Sequence, residues 1–252
     1  RAFLDRLAPL PLVVVPGNHD IPLYRIFERL SAPYGLYRRY IAPELETVLV
    51  HDQATLVALN TTAPLRKITD GRILPRQLDF ARQAFAATAA GAARIVVAHH
   101  HFAPAPDSQR KWDATIGARE ALACFDQLGV DLILGGHLHR SYAASSFDAF
   151  PPTLASPTAG DEAPPGSSGA GQAAGGRTGD HASGVLIVEC GTTTSARGRG
   201  RERGKNSLNV IQIDLHATVV THWLFSASTG EFMPASRHEF PRRGACLAKS
   251  PD

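Results

Sequence analysis

The feature that most constrains this chain is an arrangement that occurs three times, in which an apolar run ends in a short polar loop. Short apolar runs bounded by glycine predict buried strands. In open α/β sheets, ligands bind beyond the carboxyl ends of the strands, and imidazole is a common ligand of divalent transition metals. The three loops therefore predict a metal centre at one edge of a sheet. The runs at 12–16, 94–98 and 130–134 lead respectively into Gly17-Asn18-His19-Asp20, His99-His100-His101 and Gly135-Gly136-His137-Leu138-His139.

These motifs, in this order, resemble the last three signature motifs of the calcineurin-like metallophosphoesterases, and in particular those of the bacterial cyclic-nucleotide phosphodiesterase-like branch. The stretch 71–78 resembles the opening of the helix before the middle histidine. The stretches 191–195 and 206–210 resemble the C-terminal strands of that branch. The resemblance covers residues 11–224 apart from one insert. It implies an α/β fold, the two-sheet metallophosphoesterase sandwich with αββα layers.

The resemblance also implies two metal ions, and hydrolysis of a small phosphoester by attack of a metal-bridging hydroxide. Asn18, His99 and His137 are the ligands that it implies for one ion, and His139 for the other. His100 replaces His99 if the strand ends one residue later. Mixed nitrogen and oxygen ligation suits manganese, iron or zinc. The substrate is a phosphodiester or phosphomonoester, with a cyclic nucleotide among the candidates.

His19 and Asp20 are the catalytic residues that the resemblance implies. His19 faces the phosphoryl group, stabilises its charge and protonates the leaving oxygen, and Asp20 orients the imidazole, as carboxylates do for catalytic histidines. The alternative for both residues is a turn held together by local hydrogen bonds.

The resembled family also carries Asp-x-His and Gly-Asp motifs, which complete the second ion's ligands, and neither precedes Gly17 here. We therefore expect the chain as written to be N-terminally truncated, to bind metal weakly and to turn over little or no substrate. An inactive remnant that binds a metal or a partner is the alternative.

The expected organisation is one domain with one interruption. Residues 1–149 form the metallophosphoesterase core, and 184–244 form the C-terminal strands of the same domain. Residues 150–183, rich in proline, glycine, alanine and serine, predict a disordered insert because they offer little apolar surface to bury. Residues 245–252 predict a frayed tail.

Composition narrows the classes of partner and compartment. A net charge of +3 is too small to indicate nucleic acid or an anionic membrane as the partner. A basic run predicts a solvated hairpin loop, with attraction of a phosphate-bearing substrate as the alternative if the loop folds over the site. Three separated cysteines without a CxxC motif indicate a reduced, cytoplasmic setting, and no apolar run reaches transmembrane length. The basic run comprises Arg197, Arg199, Arg201, Arg203 and Lys205.

Between the motifs, periodicity predicts the remaining elements. Asn60, at a strand end, is a candidate ligand, although backbone capping is the favoured interpretation. His51 is predicted to lie at a sheet edge. Residues 31–43 are predicted to be a surface loop. The other predicted elements are helices at 21–30, 74–90 and 114–128, a hairpin of strands 46–51 and 55–60, and strands at 184–190, 209–215 and 218–225.

Overall fold

The computed structural model describes residues 2–67, 69–105, 114–146, 184–195 and 197–242. The predicted insert at 150–183 and the predicted tail at 245–252 lie outside these residues. The described parts form a mixed α/β fold with two sheets, as the sequence predicts.

The larger sheet has six strands in the order β1-β2-β3-β4-β6-β5. Strands β2, β3, β4 and β6 run parallel to one another, and both edge strands are antiparallel to their neighbours. The four parallel strands consequently deliver their carboxyl ends to one edge of the sheet. The strands are β1 Thr47–His51, β2 Ala54–Leu59, β3 Ala93–Ala98, β4 Leu132–Gly135, β5 Tyr142–Ser145 and β6 Leu186–Glu189.

Helices cover one face of this sheet. Phe85 and Phe125, from two different helices, are fully buried against Val57, Val96 and Ile133 of the strands. Each of these two helices buries one face, as a helix packed on a sheet does. The helices of the chain are α1 Ala2–Asp5, α2 Ile26–Ser31, α3 Gly35–Tyr40, α4 Pro75–Ala86 and α5 Ala118–Gln127.

The second sheet packs on the opposite face. Val220 of this sheet is buried in one cluster with Ile95, Leu132 and Val188 of the larger sheet. The two sheets therefore form the face-to-face core of a sandwich. The second sheet is antiparallel and contains β7 Ser207–Ile213, β8 Ala217–Ser226 and β9 Glu231–Pro241.

The predicted strand at 12–16 is wrong. These residues are extended, but they pair with no strand among the described residues, and Val13 to Val15 are only half-buried. A strand needs a neighbour that satisfies its backbone groups, and an apolar run alone does not supply one. The loop after this run nevertheless reaches the expected edge of the sheet, as the next section shows.

Other boundaries differ from prediction for local reasons. Helix α2 begins at Ile26 rather than at 21, because Pro22 disfavours helical backbone in the residue before it. Residues 31–43 contain α3 and are not only a loop. Helix α4 ends at Ala86, directly after its last core residue Phe85, because packing rather than propensity sustains a helix of this length. Strands β5 and β9 had no counterpart among the predictions.

The hairpin of β1 and β2 is confirmed, with Asp52 and Gln53 at its turn. His51 lies on the edge strand β1, as predicted. Asn60 caps the backbone: its Oδ1 accepts from the Thr62 amide at 3.0 Å and from the Thr62 hydroxyl at 2.6 Å. In the part of the chain that the structure describes, no helix is long and apolar enough to cross a membrane.

Candidate metal centre

Two adjacent parallel strands bring the histidine loops together. β3 and β4 are paired in register, with Val97 opposite Leu134, so the residues that follow them emerge side by side. The backbone locks the two loops, because the His99 carbonyl accepts from the amides of Gly136 at 3.2 Å and His137 at 3.0 Å. The two histidine loops are therefore held against each other by backbone hydrogen bonds.

Three predicted ligands converge on one point. His99 Nε2 lies 2.9 Å from Asn18 Oδ1 and 3.1 Å from His137 Nδ1. The ring nitrogens of His99, His100 and His137 all lie within 4.8 Å of one another. Asn18, from the turn Asn18–Asp20, is itself buried. An amide oxygen and imidazole nitrogens that face one another are a donor set that a divalent transition metal accepts.

Burial keeps these imidazoles neutral. Desolvation, followed by the charges of neighbouring histidines, lowers the pKa of His99 to about 2. Desolvation and the neighbouring histidines, with Arg199, lower the pKa of His137 to about 4. A neutral imidazole has a free lone pair, whereas a protonated one repels a cation. The residues present therefore fit one metal ion at neutral pH.

His100 is held from the other side. Its Nδ1 lies 2.9 Å from the hydroxyl of Thr61, and the same hydroxyl accepts from the His100 amide. The His100 ring centroid is 4.6 Å from that of His137. The sequence left His99 and His100 as alternatives, and His99 is the one whose ring nitrogen faces both Asn18 and His137.

His139 lies apart from this cluster. Its backbone is left-handed, with φ of 56°, which is rare for a residue with a side chain. It lines a cavity of about 480 Å³ with Asn18, His19 and His137. The structure therefore places His139 beside the cluster without including it among the three converging histidines.

His19 and Asp20 belong to the same short turn as Asn18. The His19 side chain is exposed and lines the cavity. Asp20 Oδ2 accepts from the Gly17 amide at 2.7 Å. Among the described residues, no hydrogen bond joins Asp20 to the His19 imidazole. Asp20 thus holds the turn by a local hydrogen bond, which is the alternative that the sequence left open, and its orienting role stays a prediction.

The comparison with protein families decides the class. The family described as calcineurin-like phosphoesterase matches residues 1–141. The chain belongs to the calcineurin-like phosphoesterase family. The resemblance predicted from the three motifs is therefore confirmed. The family's description names phosphoesters as its substrates. None of the curated proteins matches it.

The first of three similar solved structures supports the fold. The purple acid phosphatase PPD1 from yellow lupin (Lupinus luteus) seeds has a TM-score of 0.52 and 11% identity, over 92% of this chain. The chain spans 41% of the length of that phosphatase. Wild-type Vps29 complexed with Zn²⁺ from Entamoeba histolytica has a TM-score of 0.27 and 12% identity, over 92% of this chain and 93% of its own. A Vps29 double mutant from the same organism has a TM-score of 0.26 and 14% identity, over 71% and 94%.

Two glycines near the site are required by close contacts. A Cβ at Gly17 would lie 2.9 Å from His99 Cε1, so only glycine lets the Asn18 turn approach the His99 ring. A Cβ at Gly135 would clash with Glu189 Oε1. Gly135 therefore makes room for a buried carboxylate.

Sequence reasoning missed Thr61, Lys67 and Glu189. Thr61 follows Asn60 at the end of β2, so the strand-end rule could have found it. Glu189 ends β6, the next parallel strand, and is fully buried. Lys67 carried no signal, because it lies in a loop far from the motifs in sequence. It lines the same cavity as His137 and His139.

Arg199, from the basic run, also lines that cavity. Its amide donates to the His139 carbonyl at 2.9 Å, which ties the basic loop to the histidine loop. Arg199 is exposed, as the prediction of a solvated loop requires, and its backbone contact places the loop at the cavity, as the alternative requires. The run is not a hairpin loop, because β6 and β7 on either side of it belong to different sheets. We call the space lined by His137, His139, Lys67 and Arg199, together with Asn18 and His19, the cationic cavity, and one carboxylate, that of Asp70, also lines it.

Proposed function

We propose that this chain contributes the Asn18, His99 and His137 half of a two-metal phosphoesterase that hydrolyses phosphodiesters or phosphomonoesters, cyclic nucleotides among them. One observation carries the proposal: Asn18 Oδ1 and His137 Nδ1 both lie about 3 Å from His99 Nε2. Partly buried polar atoms in contact across three separate loops indicate a common ligand. Membership in the phosphoesterase family supports a metal ion as that ligand.

Each ligand has a proposed place. Asn18, His99 and His137 hold one ion, and His139 serves a second, in line with its position beside the cluster. Manganese, iron and zinc all accept this donor set. When bound, such ions polarise the phosphoryl oxygens and lower the pKa of a water molecule.

His19 is the proposed proton donor to the leaving oxygen. It follows Asn18 directly, so its imidazole stands next to the proposed metal ligands. It is exposed towards the cationic cavity, where a substrate can reach it. General acid catalysis by a positioned histidine typically contributes about 10²–10⁴-fold to the rate.

The positive charges of Lys67 and Arg199 would favour the binding of an anionic substrate. Both are exposed, and no salt bridge pairs either of them with a carboxylate among the described residues. A phosphate in the cationic cavity would meet positive charge from both loops. Charge-assisted bonds from arginine to phosphate oxygens are among the stronger hydrogen bonds in proteins.

The test is hydrolysis of bis(p-nitrophenyl) phosphate with added Mn²⁺, after chelation has removed bound metal. It is performed on the chain alone and on an extended protein, in which a segment that carries Asp-x-His and Gly-Asp motifs is placed ahead of Gly17. We expect little turnover by the chain alone, which lacks these motifs, and metal-dependent turnover by the extended protein. His19→Ala in the extended protein should reduce kcat at least 10²-fold, roughly the lower bound for a general acid. Full activity in His19→Ala would remove His19 from the mechanism.

The alternative is a phosphoesterase-like module that binds a metal or a partner without turnover. It is favoured if the extended protein binds Mn²⁺ at the histidine cluster but hydrolyses no ester from a panel of diesters and monoesters.

The proposal also includes a reduced, cytoplasmic setting, in keeping with the free thiols of Cys124 and Cys190.

A further inference from the structure

A second cavity, of about 420 Å³, opens on the other side of the Asn18 turn. Asn18 and His19 line both this cavity and the cationic cavity. A substrate whose phosphorus is attacked beside Asn18 can therefore extend into both spaces. The volume lies within the range of small-molecule sites, about 300–1,000 Å³. We call this second space the aromatic cavity, and its walls are Leu23, Tyr24, Leu36, Tyr37, Tyr40 and Ile41.

The walls of the aromatic cavity are apolar, and several are exposed. Leu23, Leu36 and Tyr40 are between 42% and 47% exposed, and Tyr24 is 88% exposed. Large apolar side chains grouped in a concave surface are characteristic of ligand sites. Tyrosine rings add geometric preference, because aromatic pairs contribute binding energy beyond the burial of their area.

The charged side chains that line the aromatic cavity are Asp20 and Arg25. The guanidinium of Arg25 forms an exposed salt bridge with Glu28 at 3.1 Å, and the carboxylate of Asp20 accepts a hydrogen bond from the Gly17 amide. Burial, with the charge of Asp20, raises the pKa of Tyr37 to about 12, so this wall stays neutral at physiological pH. A phosphate therefore meets less positive charge here, where one cation accompanies two carboxylates, than in the cationic cavity, where Lys67 and Arg199 accompany Asp70.

We propose that the aromatic cavity holds an aromatic group of the substrate, esterified to the phosphate that the cationic cavity binds. The inference rests on the proposed function, since it assigns the two parts of a phosphoester to the two cavities. His19 stands where the cavities meet, next to the oxygen that joins the two parts. Small polar esters would leave the aromatic cavity filled with water, so this residue set selects for aryl-bearing phosphoesters.

The test is a binding measurement that does not require turnover. Methyl, cyclohexyl and phenyl phosphate are titrated by calorimetry into the chain in the presence of Zn²⁺. We expect phenyl phosphate to bind roughly tenfold more tightly than methyl phosphate, because contacts between the phenyl ring and the tyrosine rings change affinity by a factor of that order. Cyclohexyl phosphate should bind more weakly than phenyl phosphate because it lacks the aromatic faces.

Tyr40→Ala should reduce the preference for phenyl over methyl phosphate to within about threefold and leave methyl phosphate binding unchanged. Leu36→Ala, at another exposed wall position, should reduce it in the same direction and guards against misfolding of the first variant. Phe27→Ala is the matched control, because Phe27 is 89% exposed on the neighbouring helix α2 and does not line the cavity.

The outcomes separate the two proposals. Equal binding of phenyl and methyl phosphate overturns the aromatic cavity and leaves the phosphoesterase proposal standing. Equal binding of cyclohexyl and phenyl phosphate overturns the aromatic preference. If Phe27→Ala loses the preference for phenyl over methyl phosphate, the preference does not arise in the aromatic cavity, and the proposal is overturned. Absence of binding by all three phosphates under conditions in which the chain has bound Zn²⁺ overturns the phosphate site itself, and both proposals fail with it.

Discussion

Glu189 offers the sharpest prediction about stability. Its side chain is fully buried, and neither carboxylate oxygen has a hydrogen-bond partner. Desolvation raises the pKa of Glu189 from 4.5 to about 8. The carboxyl group is therefore protonated in the folded protein at neutral pH, whereas it is ionised in the unfolded chain. Glu189→Gln keeps the shape of the side chain and removes this titration.

The sign follows from proton linkage. Between pH 4.5 and pH 8 the folded state holds a proton that the unfolded state has lost, so the free energy of unfolding falls as pH rises. The fall begins near the unfolded pKa and is complete above the folded one. At about 1.36 kcal/mol per pH unit, the wild type should lose on the order of 4 kcal/mol between pH 5 and pH 9 through this residue. Glu189→Gln should not lose this contribution.

The assay is urea-induced unfolding at pH 5, 7 and 9, followed by circular dichroism. The two proteins should have similar stability at pH 5, and the variant should be more stable at pH 9. Glu239→Gln is the control: its carboxylate is exposed on β9, so its pH dependence should match the wild type. Parallel pH profiles for the wild type and Glu189→Gln would refute the reasoning.

Three further predictions concern the site. Gly17→Ala should weaken Zn²⁺ binding roughly 10- to 100-fold, the usual effect of displacing the groups that position a metal ligand, because its Cβ would lie 2.9 Å from the His99 ring. Gly35→Ala, whose Cβ would make an ordinary 3.7 Å contact, should not weaken binding. Equal Zn²⁺ affinities of the two variants would contradict the account. Arg199→Ala in the extended protein should raise KM for a phosphodiester about tenfold and leave kcat within about twofold, whereas Arg201→Ala, outside the cavity, should change neither. Zn²⁺ affinity should vary little between pH 6 and pH 8, because the pKa values of the buried His99 and His137 lie well below that range; a steep loss with a midpoint near 6.5 would mean that the ligands titrate as exposed imidazoles.

The sequence predicted where the three loops meet better than it predicted the elements around them. Residues 12–16 are not a strand, yet Asn18 still reaches His99. The reason is that loops that follow parallel strands meet at one edge of the sheet. The pairing of β3 with β4 places the two histidine loops side by side, whatever the structure of residues 12–16. The close approach of the third loop depends on Gly17, whose missing Cβ leaves room for the His99 ring.

The walls of the cavities could not be predicted, because they depend on tertiary contacts between distant segments. Arg199 enters the cationic cavity through a backbone bond to His139, which no periodicity reveals. Tyr37 and Tyr40 line the aromatic cavity because both lie on α3. The sequence predicted a loop here, because the stretch is rich in loop-forming residues. The hydrogen bond from the Gly17 amide to Asp20 likewise depends on the exact turn geometry and not on residue type.

The central claim, that Asn18, His99 and His137 grip one cation, is tested most directly by titration of Zn²⁺ into the metal-free chain. Calorimetry should show at least one ion bound per wild-type chain, a loss of that binding in His99→Ala, and unchanged binding in His51→Ala, whose exposed histidine lies on the edge strand β1. Identical stoichiometry and affinity in the wild type and His99→Ala would contradict the account.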